Sequence, residues 1–67
     1  MSKGVAIPMD VYNKDGDLTN IDFTDRSGEF IIKADWDPRE EQTSENRVKF
    51  RKWAYRIIEQ MDYEILK

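Results

Sequence analysis

The sequence contains no cysteine and no histidine, and it has only three glycines and two prolines among its 67 residues. The chain therefore has no thiolate or imidazole for a structural zinc site, for nucleophilic or base catalysis, or for a disulfide framework. It also lacks the phosphate-binding loop, the dinucleotide fingerprint and the nucleophile elbow. A carboxylate pair would need a pocket that excludes water, and so short a chain has little interior for one. We therefore expect a protein that is not an enzyme and that uses no cofactor.

Apolar residues are also scarce, at 39% of the chain, and the mean hydropathy is −0.83. Leu, Ile, Val and Phe together number 15, just above the roughly 20% share below which highly charged chains are disordered. The net charge of −3 is small and eight residues are aromatic. These values predict one small folded domain with a thin core, of the kind that supplies about 3–5 kcal/mol of stability.

Long hydrophobic runs are absent as well. The longest apolar stretch, Val5 to Met9, contains a proline and is far shorter than a membrane span. No run long enough for a signal peptide follows the first four residues. We therefore expect a cytoplasmic protein without a membrane partner.

Three segments show the period-two alternation of half-buried strands, at about 4–12, 18–24 and 29–36. Asp15-Gly16 and Ser27-Gly28 lie between them and are typical of tight turns, so we predict a three-stranded antiparallel meander. Because Pro8 has no N–H to donate, the first strand should lie at a sheet edge or carry a bulge. The alternating rows are Val5, Ile7, Met9 and Val11; Thr19, Ile21 and Phe23; and Phe30, Ile32, Ala34 and Trp36.

An amphipathic helix is predicted over about 44–62, and its apolar stripe should cover one face of the sheet. Asp37-Pro38 is typical of a helix start, but residues 38–46 include no apolar side chain. We therefore expect a turn there, with an uninterrupted helix from Pro38 as the alternative. Residues 63–66 either continue the helix or form a short fourth strand, which Asp62 favours because it tolerates the left-handed conformation. The stripe comprises Phe50, Trp53, Ala54, Ile57, Ile58, Met61 and Ile65.

The predicted fold class is therefore α+β, with an antiparallel β-meander packed against one C-terminal helix. Charge divides this fold unevenly, with −6 over residues 1–46 and +3 over residues 47–67. Within the helix, Lys49, Lys52 and Arg56 cluster on the polar side, where a helix can contact phosphates. A solvated helix face and a contact with the chain's own acidic strands are the alternatives. The acidic isoelectric point of about 4.8 argues against a nucleic-acid ligand.

Tyr55 and Val48 lie nearly opposite the apolar stripe on a helical wheel, beside bases. An aromatic and an aliphatic side chain bordered by cations are typical of a small protein-interface hot spot. We therefore predict a partner-binding face made of Val48, Lys52, Tyr55 and Arg56. Packing of the two apolar residues beneath residues 38–46 is the alternative, and a homodimer through this face or a sheet edge is a related hypothesis.

Two groups of acidic residues resemble functional sites, one a calcium loop and the other an acidic surface that imitates nucleic acid. Asn13, Asp15 and Asp17 resemble a calcium loop, but the glutamate that an EF-hand needs about six positions after its glycine is missing. Turn chemistry explains these residues, and no metal site is expected. If the acids of the strand half share the solvent face of the sheet, they form a negative surface that imitates nucleic acid, although interleaved bases dilute it. These acids are Asp10, Asp15, Asp17, Asp22, Asp25, Glu29 and Asp35.

The sequence thus favours a small non-enzymatic protein-binding module that regulates or inhibits a host protein. In size and charge the chain resembles the small accessory proteins of phages and mobile elements, which bind and inhibit host machinery. Its order of elements is similar to that of integrase amino-terminal and plant AP2-type domains. Those domains read DNA with arginine and lysine on the sheet, whereas this sheet is predicted to be acidic, so their function is not carried over. A nucleic-acid-binding accessory protein using helix 47–56 is the alternative, and an acidic DNA mimic is a weaker one.

Overall fold

The computed structural model describes residues 4–66. Within this range the sheet order is β3-β2-β1-β4; β1, β2 and β3 are antiparallel, and β4 is parallel to β1. The predicted α+β fold, with a three-stranded antiparallel meander, one helix and a short fourth strand, is confirmed. The elements are β1 (Gly4–Tyr12), β2 (Leu18–Thr24), β3 (Phe30–Asp35), α1 (Ser44–Gln60) and β4 (Tyr63–Ile65).

The turn between β2 and β3 is organised by one carboxylate. Asp25 Oδ1 accepts the hydroxyl of Ser27 at 2.6 Å and the backbone N–H of Glu29 at 2.9 Å. Gly28 follows with a φ of +88°, a conformation that glycine adopts without steric cost. The tight turn predicted from the sequence is therefore built from local hydrogen bonds rather than from burial.

These hydrogen bonds lead to a pH prediction. The Ser27 hydroxyl, followed by the Glu29 N–H, lowers the pKa of Asp25 below the usual range of an aspartate. Because the folded-state pKa is lowered, the stabilisation is present above the unfolded-state pKa and is lost as the pH falls through the folded-state pKa. An NMR titration should show a low pKa for Asp25 and a higher one in Ser27→Ala. An identical titration curve in that variant would contradict the assignment.

Pro8 marks the point where β1 changes from a central to an edge strand. β4 pairs with β1 only along Gly4–Ala6, and Ala6 C=O accepts the N–H of Leu66 at 2.9 Å. Alternate residues of a strand direct their backbone groups to the same side. The nitrogen of Pro8 therefore faces the same side as Ala6 C=O, two residues beyond the last pair with β4. It has no proton to donate and ends the ladder. The expected edge position therefore applies only to the part of β1 that follows Ala6, and a bulge lies near Tyr12.

The helix covers the face of β1 that carries its even-numbered side chains. Ala6 is fully buried in a cluster with Ala54 and Ile58, and Pro8 lies opposite the buried Phe23 of β2. Successive side chains of a strand point to opposite faces. The alternation in β1 is as predicted, but the row with the larger apolar side chains is on the uncovered face. That row is Val5, Ile7, Met9 and Val11.

The buried stripe of α1 is rotated relative to the predicted one. Ala54 and Ile58 are buried as expected, but Trp53 is 48% exposed. Tyr55, which was predicted to lie opposite the stripe, is half-buried, and its ring meets that of Phe23 edge-on at a centroid distance of 6.1 Å. The predictions of a core position for Trp53 and of an outward position for Tyr55 are therefore wrong.

A polar pair explains the rotation. Asp10 lies on the covered face of β1, where the guanidinium of Arg51 hydrogen-bonds to its carboxylate. This hydrogen bond raises the pKa of Arg51 above its usual value. Arg47, Arg51 and Tyr55 lie four residues apart on one side of α1. Turning that side towards the sheet satisfies Asp10, and it moves Trp53 outward.

Residues 36–43 connect β3 to α1 as a turn followed by an irregular segment, and the uninterrupted helix from Pro38 does not form. The indole N–H of Trp36 donates to Glu40 C=O at 3.0 Å. The side-chain amide of Gln42 accepts the N–H of Leu18 at 3.0 Å and donates to its C=O at 2.8 Å. Polar contacts therefore hold this segment against the sheet, although it has no apolar residue after Trp36.

The two ends of α1 are set by side chains with special capping properties. Thr43 accepts the N–H of Asn46 at 3.1 Å through its hydroxyl, so the helix begins at Ser44. After the last turn, Asp62 has a φ of +68°. This left-handed residue redirects the chain into β4, as the sequence suggested for an aspartate at this position.

Candidate functional site

The face of the sheet that α1 does not cover, hereafter the open sheet face, carries exposed apolar side chains. Met9 is 58% exposed and Phe30 is 60% exposed. The strand register aligns Ile7, Thr24 and Phe30 in one row across three strands. An exposed apolar patch rimmed by polar residues is typical of an interaction site. Its apolar members are Val5, Ile7, Met9, Val11 and Phe30.

Acidic side chains border this apolar row. Asp22 lies opposite Met9 in the strand register, and Glu64 of the edge strand β4 pairs with Val5, although it also borders the helix side of that edge. Asp35 also belongs to this face and forms an ion pair with Lys33 at 3.6 Å. Among the strand residues that the structure describes, Lys33 is the only base on this face. The open sheet face is therefore negative and complements an apolar surface bordered by bases.

Most of the acids in the strand half do not contribute to this face. Asp10 lies under the helix, and only Asp22 and Asp35 project from the open sheet face. The seven acids therefore do not share one solvent face, which was the condition for the acidic-mimic alternative, because the others lie in the turns. The acids of the turns are Asp15, Asp17, Asp25 and Glu29.

The predicted partner-binding residues of α1 are brought together in part. Lys52, Tyr55 and Arg56 line one shallow depression, which Glu59 and Glu64 also border. Lys52 and Arg56 are exposed, whereas Tyr55 is half-buried through its contact with the core. The depression combines two cations with two carboxylates, so its charges largely offset each other.

The remaining helix residues singled out from the sequence lie closer to the start of α1. Val48 is 47% exposed and does not line the depression. Lys49 is exposed and forms an ion pair with Glu45 at 3.6 Å. Lys49, Lys52 and Arg56 therefore share the exposed side of α1, but nearby acids partly neutralise them.

Residues 4–66 show neither a metal-binding cluster nor a membrane-spanning helix. No group of three or more acidic side chains there has a metal-binding arrangement. Asn13 Oδ1 accepts the N–H groups of Asp15 at 2.9 Å and of Asp17 at 3.0 Å, so this oxygen serves the turn. In the same range, no helix has the length and apolar character required to cross a bilayer.

A cleft of about 420 Å³, hereafter the aromatic cleft, lies between the end of β3 and the first turns of α1. The ring of Phe50 lies 5.1 Å from that of Trp36 and 5.9 Å from that of Trp53, between centroids. Sequence reasoning missed this site because it assigned Phe50 and Trp53 to the core stripe and gave no signal that Trp36 lies beside them. The charged residues that line it are Asp35, Asp37, Glu40 and Lys49.

An apolar groove of about 280 Å³, hereafter the β3 groove, adjoins the aromatic cleft. Asp35 and Trp53 line both cavities. The floor of the groove includes Ile32 and Ala34, which are only half-buried beside α1. Two adjoining cavities thus separate α1 from β3.

Comparison with known proteins gives no matching family model, no matching curated protein and no matching solved structure. The function is therefore inferred from the surfaces of the molecule itself.

Proposed function

We propose that this protein is a small non-enzymatic protein-binding module that regulates or inhibits a host protein by covering part of its surface, and that the open sheet face is its contact surface. The apolar row of β1, in which Met9 is exposed and Val5, Ile7 and Val11 are half-buried, carries this proposal together with the exposed Phe30. Burial of a fully exposed large apolar side chain contributes about 1.5–3 kcal/mol. Met9 and Phe30, each more than half exposed, therefore retain much of that contribution for binding.

The fold itself gains from such a partner. Its fully buried side chains are few, and the largest of them are Phe23, Leu18, Ile21 and Ile58. A ligand that binds only the folded state stabilises it by mass action. Covering the open sheet face therefore adds the burial that the thin core lacks, and we expect the thermal midpoint to rise when the partner binds.

Charge favours a partner other than a second copy. In a face-to-face homodimer, Asp22 and Glu64 of each protomer would approach acidic side chains of the other. A partner with an apolar centre and a basic border would instead pair with these carboxylates. The homodimer stays an outcome to be tested by light scattering, which should give a monomer.

Two matched variants test the contact surface. In a pull-down from lysate of the native host, Met9→Asp should lose a stoichiometric protein partner because it places an unpaired carboxylate in the interface. Val48→Asp adds the same charge at a similarly exposed residue of α1 and should retain the partner. Circular dichroism should show that both variants are folded. If Val48→Asp lost the partner and Met9→Asp retained it, the result would contradict binding through the open sheet face and favour the predicted helix residues.

A nuclease-treated half of the same lysate separates the second candidate function. The second candidate is nucleic-acid binding. It rests on three bases that are exposed on one side of α1, Lys49, Lys52 and Arg56, where they can contact phosphates. Captured material that disappears after nuclease treatment would support this alternative. A protein partner that survives the treatment would support the proposal.

A further inference from the structure

We infer that the β3 groove and the aromatic cleft together bind an extended peptide segment that carries an aliphatic and a basic side chain. In this binding mode a peptide adds a strand to an open sheet edge, and its alternate side chains enter adjacent pockets. The site uses the outer edge of β3 and the helix side of the sheet, whereas Met9 lies on β1, two strands away, so different variants test this inference and the proposed function.

The backbone of β3 offers an open edge. β3 is the terminal strand of the sheet, and no strand within residues 4–66 pairs with its outer side. The N–H of Trp36 donates to Thr19 C=O of β2 at 3.0 Å, which fixes the alternation of inward and outward backbone groups. The N–H and C=O groups of Lys33 and Asp35 therefore face outward. They are the main-chain partners of the added segment.

The side chains of an added strand would meet the two cavities in turn. Those on the helix side of the sheet enter the β3 groove, where Phe23, Ile32 and Ala34 provide an apolar floor. The next side chain on that side is two residues away, about 7 Å along the strand. It enters the aromatic cleft, because the two cavities adjoin at Trp53. An aliphatic residue and its second neighbour thus occupy different environments.

Charge and aromatic character identify the second side chain as a cation. The ring of Trp53 is 48% exposed, and an arginine or lysine over such a ring is attracted by its quadrupole. Glu40 lines the same cleft and forms no ion pair with any residue in the described range. The opposing base, Lys49, is already paired with Glu45. Asp35 and Asp37, the other two acids of the cleft, are paired with Lys33 and Arg39. The carboxylate of Glu40 is therefore available for a basic ligand.

Two capped pentapeptides, Thr-Val-Thr-Arg-Thr and Thr-Arg-Thr-Val-Thr, test the site in both directions. In ¹⁵N NMR titrations of the whole chain, at least one should shift the amides of Lys33 and Asp35 and the indole of Trp53. Citrulline in place of arginine keeps the shape without the charge and should weaken binding roughly fivefold. Binding should also weaken as salt is added. Absence of shifts with both peptides, or shifts confined to β1, would overturn the inference.

Matched variants give a second, independent readout. Trp53→Ala should lower the affinity for the bound pentapeptide roughly fivefold, whereas Val48→Ala, at an equally exposed position of α1, should not change it. Glu40→Gln should reduce both the affinity and its salt dependence, with Glu29→Gln in the exposed β2–β3 turn as the control. Equal affinity of wild type and Trp53→Ala would contradict the assignment. Because none of these variants alters the open sheet face, their outcome leaves the pull-down with Met9→Asp interpretable.

Discussion

Replacing Phe23 by alanine should unfold most of the protein at room temperature. Phe23 is fully buried, lies in the core cluster with Ile21, Ala54 and Ile58, and meets the ring of Tyr55. Truncation of a buried phenylalanine costs about 3–5 kcal/mol. A core of this size supplies only about 3–5 kcal/mol of net stability. The expected loss therefore equals most or all of the free energy of unfolding.

Phe30→Ala is the matched control, because it removes the same atoms from a side chain that is 60% exposed. Circular dichroism and urea unfolding should show a folded Phe30→Ala variant, with a stability change within about 1 kcal/mol. If Phe23→Ala kept a cooperative transition close to that of wild type, the assigned core would be wrong. Under the proposed function Phe30→Ala should weaken partner capture, so the two phenylalanines separate folding from binding.

The order of the elements was predictable because its signals are local. Period-two alternation of apolar and polar side chains indicates a strand, and Asp-Gly or Ser-Gly indicates the turn that follows it. The face of β1 that enters the core was not predictable in this way. The sequence favours burial of the row that contains Ile7 and Met9. In the structure, α1 instead covers the row that contains Ala6 and Pro8. Which row of β1 is covered depends on where α1 packs, and that is a property of the packed pair rather than of β1 alone.

The candidate sites were harder to predict for a related reason. A helical wheel groups residues by hydrophobicity, but the phase of α1 also depends on Arg51, whose partner Asp10 lies 41 positions earlier in the chain. That pairing turns Tyr55 inward and Trp53 outward. Tyr55 therefore packs against the core while it still borders the depression beside Lys52 and Arg56, and Trp53 lines the aromatic cleft. Single-sequence patterns contain no signal for such a distant polar contact.

The segment that precedes α1 is the clearest case of a polar anchor. Residues 38–46 have no apolar side chain, so a hydrophobicity argument leaves them without a reason to pack. In the structure, Gln42 completes the hydrogen bonding of Leu18, whose N–H and C=O it binds like a neighbouring strand. Arg47 Nε donates to Gln42 Oε1 at 3.1 Å and links this contact to the first turn of the helix. Gln42 thereby ties β2, the connecting segment and α1 together.

Gln42→Leu should therefore destabilise the protein by roughly 2–4 kcal/mol, because a buried N–H or C=O left unpaired costs about 1–3 kcal/mol. Leu18 is only 1% exposed, and a leucine at position 42 keeps the volume that would otherwise admit water. Gln42→Ala should lose less stability, since a water molecule can replace the amide. The order wild type, Gln42→Ala, Gln42→Leu in decreasing urea midpoint is the expected result.

Gln60→Leu provides the control, because Gln60 is exposed in the last turn of α1 and makes no side-chain hydrogen bond within the described residues. Its urea midpoint should stay close to that of wild type. Amide hydrogen exchange of Leu18 gives a local readout, since its N–H should lose protection in both Gln42 variants and keep it in Gln60→Leu. If the Leu18 amide stayed equally protected in Gln42→Leu, that N–H would have another acceptor and the side chain of Gln42 would not be the anchor. If the Gln42 variants show both loss of protection at the Leu18 amide and a lower urea midpoint, a polar contact rather than apolar burial holds the start of α1 against the sheet.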